Sequence, residues 1–436
     1  MKSWLRIGIA SVALFAVVNA QSQLPAAAPG EVGLSKERLD RIRPAMEREI
    51  AGSRLAGGIG LIARRGKIAY FDTYGMADKE ASRPMQKDAI FRIFSMTKAV
   101  TGVAVMMLYE EGRFSLSDPI GRYLPEFATM KVAIEASNPA NGKPVLSYTV
   151  PAERPITILD LLRHTSGLNY FGPHDEKGDL VFEKLGIDGI NGSALTLAEF
   201  TKRLASAPLV HQPGTVFDYS LSIDVLGRLV EVASGTPLDQ FFADRIFRPL
   251  HMDDTGFHVP PEKAGRLATL YSLNPDGTIR RATDAAQEGA KKKPVLFLGG
   301  AGLMSTAIDY ARFVQMLANG GQLEGVRLLS PKTVDLMRAD VLGDLPRTQP
   351  GLPPPGYGFG LTFAVNRGVG PTATIGSRGE YFWGGAAGTA FWIDPQEQLI
   401  GVFMIQTMAD LGKGNLFKQL AYQAIVEEQS EPTLRP

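Results

Sequence analysis

The stretch Phe91–Gly112, FRIFSMTKAVTGVAVMMLYEEG, reads as one helix, apolar on nearly every face from Ala99 to Leu108 and closed by Glu110-Glu111-Gly112. A helix apolar all round is a buried one, so it is expected to run through the centre of the protein. Ser95 and Lys98 stand one turn apart at its start, on one face and within reach of each other. The positive potential of a helix N-terminus stabilises an alkoxide and disfavours an ammonium. Ser-x-x-Lys therefore supplies a nucleophile and a base within four residues, and Ser95 heads the only such motif in the chain. The competing reading is a capping serine beside a solvated lysine.

The 436 residues are 44% hydrophobic and 21% charged, ordinary globular composition with length for a sizeable core. A formal net charge of +1 points to neither nucleic acid nor an anionic membrane as partner. The chain has no cysteine, which excludes disulfides, thiolate metal sites, a cysteine nucleophile and a lipid on a leader cysteine. Lys2 and Arg6, the apolar run Ile7–Val18 and the small-residue site Val18-Asn19-Ala20 have the form of a signal peptide. Met1–Ala20 is expected to be cleaved, giving a periplasmic or secreted protein with no stable membrane anchor, since the apolar run is too short for a comfortable span.

Ser35–Ile50 has helical spacing, and the strand-like runs Gly58–Ala63 and Lys67–Tyr74 are joined at Arg65-Gly66 as a hairpin. Gly58–Ala63 superficially matches a dinucleotide fingerprint, but no strand precedes it and no helix follows. Phe127–Ile156 reads as a surface hairpin turning at residues 138–142, followed by helices at Thr157–Arg163, Thr196–Ala205, Ser222–Ser234 and Leu238–Phe247. Beyond about residue 270 come a hairpin, Tyr271–Leu273 with Thr278–Arg281, and a helix, Ala307–Asn319. Strands are expected at Phe359–Val365, Ala373–Ile375, Ala387–Ile393 and Leu399–Gln406, and a last helix at Leu416–Glu428. This outline predicts an α+β fold: an antiparallel sheet flanked by helices, built from 31–90 and 270–436, with a mostly helical domain, 91–269, inserted. A cleft is expected between them, with the start of the Ser95 helix at its edge.

Two further motifs extend the first. Tyr219-Ser220-Leu221 lies in an apolar-flanked turn before a helix, and Trp383-Gly384-Gly385-Ala386 is read at the start of a strand, where paired glycines let backbone approach a ligand. With Ser95-Met96-Thr97-Lys98, in that order, they resemble the family VIII carboxylesterases, serine hydrolases with the fold of class C β-lactamases and DD-peptidases. Leu161–Leu168 (LLRHTSGL) and Gly300–Thr306 (GAGLMST) support the resemblance, which spans roughly residues 31–428.

The resemblance implies Ser95 as nucleophile, Lys98 and Tyr219 as a coupled proton-handling unit, and the backbone N–H groups of Ser95 and Ala386 as oxyanion hole. It also places Leu221, Trp383, Gly384 and Gly385 against the substrate. β-Lactamases carry Tyr-x-Asn and Lys-Thr-Gly at these motifs, so Leu221 and Trp383 lack the amide and the charge that a β-lactam would need. Leaving those lactam groups unpaired costs on the order of a few kcal/mol, and an uncharged ester suits the site better. The runners-up are a β-lactamase or D-amino-acid peptidase, an acyltransferase, and a catalytically silent binding protein.

No Gly-x-Ser-x-Gly occurs, so the α/β-hydrolase nucleophile is absent, and Ser166 is read as part of a turn ending a helix. The five histidines, at 164, 174, 211, 251 and 258, show no metal spacing, and no cofactor or metal is expected. Lys291-Lys292-Lys293 is read as a solvated run.

Overall fold

A computed structural model describes residues 24–427 except 138–141, 143, 175–180, 187–193, 369, 371–373 and 411. The expected signal peptide and most of the 138–142 turn lie outside the described residues. The strand Gly57–Arg64, buried along its whole length, knits the two ends of the chain together. It pairs antiparallel with Lys67–Asp78 on one side and with Leu399–Ile405 on the other, with Leu61 opposite Phe71 and Val402. The eight-stranded sheet runs, in spatial order, Tyr357–Phe359, Ala364–Asn366, Tyr381–Gly384, Ala390–Asp394, Leu399–Ile405, Gly57–Arg64, Lys67–Asp78 and Arg83–Pro84.

Period-two alternation sorts this sheet's two faces. Ile59, Leu61 and Ala63 join the main core with the helices Thr97–Glu110 and Ala307–Ala318. Ile62 joins a second core with Ile42 and Met46 of the helix Ile42–Ala51 and Phe417 of the helix Gly412–Tyr422. Gly60 shares that face, and a Cβ there would lie 2.5 Å from the Phe417 ring, so glycine lets the C-terminal helix close on the sheet. In the intervening sequence the helices Ile158–Leu162 and Leu197–Ser206 pack on Ser222–Ser234, which in turn packs on Thr97–Glu110. Among the described residues no helix is long and apolar enough to cross a membrane.

The opening stretch departs from the expected single helix. Ile90–Arg92 is a strand paired antiparallel with Met304–Thr306, Phe94–Met96 is one 3-10 turn, and the α-helix begins only at Thr97. Phe94, at φ +43°, sits in the left-handed region and breaks any helix entering from Phe91. Phe359–Val365 is likewise two short strands turned about Thr362 (φ +74°). Of the expected strand 373–375, Ala373 lies outside the described residues and Thr374-Ile375 is a bend. Trp383 stands near the end of its strand rather than the start, and the next strand is Ala390–Asp394 because Gly388 (φ +82°) turns the chain between them. The segment 238–247 is α-helical to Phe242 and π-helical from Ala243, and the last helix is Gly412–Tyr422.

Candidate active site

Ser95 is presented by the 3-10 turn, half-buried at its tip. The turn is clamped from several sides: Ile93 N–H donates to Leu303 O (3.0 Å), Leu303 N–H to Thr97 Oγ1 (3.1 Å), and Tyr310 OH to Met96 O (2.9 Å). Gly385 lies hard against it. A Cβ at Gly385 would sit 2.4 Å from Ile93 O and 2.3 Å from Thr389 Oγ1, so only glycine lets the end of the Trp383 strand reach the backbone of the Ser95 turn. The Ala386 carbonyl accepts from Ala409 N–H (2.8 Å), which fixes that peptide beside the turn.

Lys98 is 1% exposed and spends its ammonium protons on Gly300 O (2.7 Å), Tyr170 OH (2.8 Å) and Ser95 Oγ (3.3 Å). Burial pulls its pKa down, but Tyr170, Tyr219 and Asp224 more than offset that and hold it above the ordinary lysine value. The helix start was expected to disfavour the ammonium. The surrounding oxygens win instead, and Lys98 is a cation in the resting site.

Tyr219 comes from the loop before the helix Ser222–Ser234. Gln349 holds this loop, accepting from Tyr219 N–H (3.0 Å) and donating to Tyr219 O (3.1 Å) and Asp218 Oδ1 (2.9 Å). Lys98 Nζ lies 4.7 Å from the Tyr219 ring centroid, against its face. The Tyr219 oxygen accepts from Trp383 Nε1 (3.2 Å), and because an indole N–H only donates, that bond strengthens as the phenol loses its proton. Trp383 is thus a buried support for Tyr219 as well as a neighbour of the paired glycines.

Sequence reading missed Tyr170. It lies two residues beyond Leu161–Leu168, and its hydroxyl, not that of Tyr219, makes the short bond to Lys98. Burial raises its pKa, with Lys98 opposing, so Tyr170 keeps its proton. The signal was Leu168-Asn169-Tyr170 directly after the His-Thr-Ser-Gly turn, but nothing in the sequence says that this turn folds back over Lys98. His164, whose ring packs 4.7 Å from that of Tyr219, is held far below the ordinary imidazole pKa by burial and then by Lys98, and is neutral.

The remaining motif residues divide. Leu221 is 2% exposed and packs into the main core, whereas Gly384 is half-buried at the strand end. Ser166 is buried with its hydroxyl 2.8 Å from that of Ser222, away from the Lys98 amine's partners. Lys291 and Lys293 pair with Glu288 (2.7 Å) and Asp239 (3.1 Å). A hydroxyl on a glycine-flanked turn, beside a cation and two phenols, is equipped for attack on a carbonyl.

The beta-lactamase family model matches residues 41–422. The chain is 34% identical over 375 residues to esterase EstB of Burkholderia gladioli, covering 82% of this chain and 86% of EstB. It is 39% identical over 363 residues to an uncharacterized protein of Mycobacterium tuberculosis, covering 82% and 87%. Among solved structures it is similar to EstCE1, described as a hydrolase with promiscuous acyltransferase activity, at TM-score 0.73 and 29% identity over 90% of this chain and 98% of EstCE1. Simvastatin synthase from Aspergillus terreus shares the fold at TM-score 0.73 and 23% identity, covering 89% and 98%. With its sheet, its three motifs in order and these relatives, the chain belongs to the beta-lactamase family, on the branch of the family VIII esterases, and is a serine hydrolase of that fold.

Proposed function

We propose that the protein is an exported carboxylesterase that cleaves uncharged carboxylic esters through an acyl-enzyme on Ser95. The observation that carries this is the Ser95–Lys98–Tyr170 chain of hydrogen bonds, with Tyr219 over the same ammonium. Ser95 Oγ attacks the ester carbonyl. Its proton passes to the oxygen of Tyr219, which faces the Lys98 ammonium and accepts from the Trp383 N–H, and then to the leaving alcohol. Water activated by the same phenol releases the acid. The N–H groups of Ser95 and Ala386 hold the oxyanion. Because a phenol must lose its proton, kcat/KM is expected to rise into mildly alkaline pH, and a maximum below about pH 6 would count against this scheme.

Parallel assays with a short p-nitrophenyl ester, a chromogenic cephalosporin and a D-Ala-D-Ala peptide test the substrate class. Ester turnover far above the other two is expected; the reverse order would reassign it. A fluorophosphonate should label Ser95 stoichiometrically, and a protein left unlabelled would be a silent binding protein. A second reading, acyl transfer to an alcohol, is favoured by the activity described for EstCE1, since the same acyl-enzyme serves both acceptors. Export rests on the signal-peptide pattern of Met1–Ala20, and N-terminal sequencing of the protein from its host would test it.

A further inference from the structure

Behind the reacting groups lies a carboxylate that the scheme above does not use. Asp224 stands in the first turn of the helix Ser222–Ser234 and is 2% exposed. Its Oδ1 accepts from Gly300 N–H at 2.8 Å, and the carbonyl of the same Gly300 accepts from Lys98 Nζ at 2.7 Å. The single residue Gly300 therefore holds the carboxylate on its N–H and the ammonium on its carbonyl, in the two peptide groups that flank its Cα. The approach is close enough to require glycine, since a Cβ at Gly300 would lie 2.7 Å from Asp224 Oδ2. Thr101 Oγ1 pins the preceding residue by donating to Gly299 O (2.6 Å).

We propose that Asp224 is a positioning residue for the reaction, the buried counter-charge that acts on Lys98 across Gly300 and fixes both its place and its proton.

The groups facing Lys98 are Ser95 from the 3-10 turn, Tyr170 and His164 from the segment after Ile158–Leu162, Tyr219 from the Gln349-held loop, and Asp224. Asp224 is the carboxylate among them. Burial pushes its own pKa up to about 6, against the opposing pull of Lys98 and the Gly300 N–H, so it is ionised across the alkaline range in which the esterase is expected to work. A buried ammonium without a compensating anion is strongly unfavourable, and Asp224 supplies that anion from the side away from Ser95. It touches neither Ser95 nor Tyr219 in the hydrogen-bond network, so its influence passes through Lys98. The negative charge also raises the pH at which the Lys98–Tyr219 unit gives up a proton.

The catalytic half of this inference rests on the Ser95 acyl-enzyme reading; the Asp224–Lys98 coupling does not. Asp224→Asn keeps the shape and the acceptor for Gly300 N–H while removing the charge. With a short p-nitrophenyl ester, the rising limb of its kcat/KM profile is expected to move to lower pH by on the order of one unit, with kcat reduced. A lowered amplitude with the midpoint in place would mean that Asp224 only packs, and would overturn the proposal. The second measurement is a stability cycle at pH 8 with Lys98→Met. Asp224→Asn should destabilise the protein when Lys98 is present and be neutral or stabilising when it is Met. Should Asp224→Asn fail to fold, recovery of folding in the double variant supports the proposal, and a double variant as unstable as the two changes summed overturns it. Full activity in Ser95→Ala would sink the acyl-enzyme reading alone and leave the stability cycle to decide the pair.

Discussion

Two lysines lie among tyrosines and carboxylates in this molecule, Lys98 buried and Lys418 half-buried, on opposite faces of the sheet. Lys98 has Tyr170, Tyr219 and Asp224 about it; Lys418 has Tyr357, Tyr422, Glu380 and Asp394. The compositions are nearly the same, and the difference lies in where the hydrogen bonds end. Lys98 has one long bond, 3.3 Å, to a half-exposed serine hydroxyl. Lys418 pairs with the fully buried Glu380 and lies 5.6–5.9 Å from the centroids of the Phe382, Tyr422 and Tyr357 rings. Asp394 is saturated by Tyr422 OH (2.7 Å) and by the N–H groups of Ser377, Gln396 and Glu397. The second cluster ties the helix Gly412–Tyr422 to the strand ends beneath it, while the first has a hydroxyl that faces outward. A buried lysine–tyrosine–carboxylate set is therefore not by itself a site; the open hydroxyl makes it one.

Ser95→Ala breaks that comparison hardest. Its turnover should fall by at least about 10³-fold with the unfolding temperature unchanged, because the hydroxyl's hydrogen bond to Lys98 is long and peripheral. Above about pH 7, where Glu380 is ionised, Lys418→Met should do the reverse, lowering the unfolding temperature by several degrees while folded protein keeps its kcat. Thermal unfolding and ester hydrolysis on both variants check this. The comparison fails if Lys418→Met loses activity without losing stability.

The next contrast is between the two phenols. If Tyr219 moves the proton, Tyr219→Phe should cost about 10²–10⁴ in kcat, the usual worth of a general base. Tyr170→Phe removes a hydrogen bond from Lys98 and should cost roughly tenfold. The opposite order would transfer the base to Tyr170, the phenol that makes the 2.8 Å bond to the amine. A finer probe is Trp383→Phe, which keeps a ring against Tyr219 and deletes the 3.2 Å donor; kcat should drop about 5–10-fold at nearly constant KM.

These contrasts also mark what the sequence could tell. The strand-like run Gly58–Ala63 and the stretch Ala99–Leu108, apolar on nearly every face, are local signals, and the antiparallel sheet and the buried helix followed from them. Ser95, Lys98, Tyr219 and Trp383 could be singled out because each sits in a short motif, and the fold brings the four together. Tyr170 and Asp224 were not, since their meaning depends on loops folding back to Lys98 from 72 residues away and from the helix Ser222–Ser234. The start of the central helix was misplaced for a related reason. Phe91, Ile93 and Phe94 are residue types that suit a strand as well as a buried helix; Ile90–Arg92 becomes a strand because Met304–Thr306 pairs with it, and Phe94 enters the left-handed region at the clamped turn. The charge on Lys98 was read from the helix start alone, without the oxygens that the fold gathers around its amine.

The smallest effect belongs to the Lys418 cluster and separates the two lysines by pH. Burial pushes the Glu380 carboxyl up to about 7, with Lys418 opposing, so the native state holds a proton there that the unfolded chain, at about 4.5, has released. Tyr422 has one proton and gives it to Asp394, so its 3.1 Å contact with Glu380 Oε2 calls for a proton on Glu380. A carboxyl whose folded pKa lies above its unfolded one binds more protons in the native state. Its contribution to stability is therefore present at low pH and is lost as pH rises from about 4.5 to about 7. Glu380→Gln is fixed in the neutral form and should flatten the fall in unfolding temperature between pH 5 and pH 7. Asp224→Asn, by contrast, should act chiefly on the activity profile. Unfolding curves of the wild type and Glu380→Gln that stay parallel across that window would show Glu380 to be charged in the native state, making the two lysine clusters electrostatically alike.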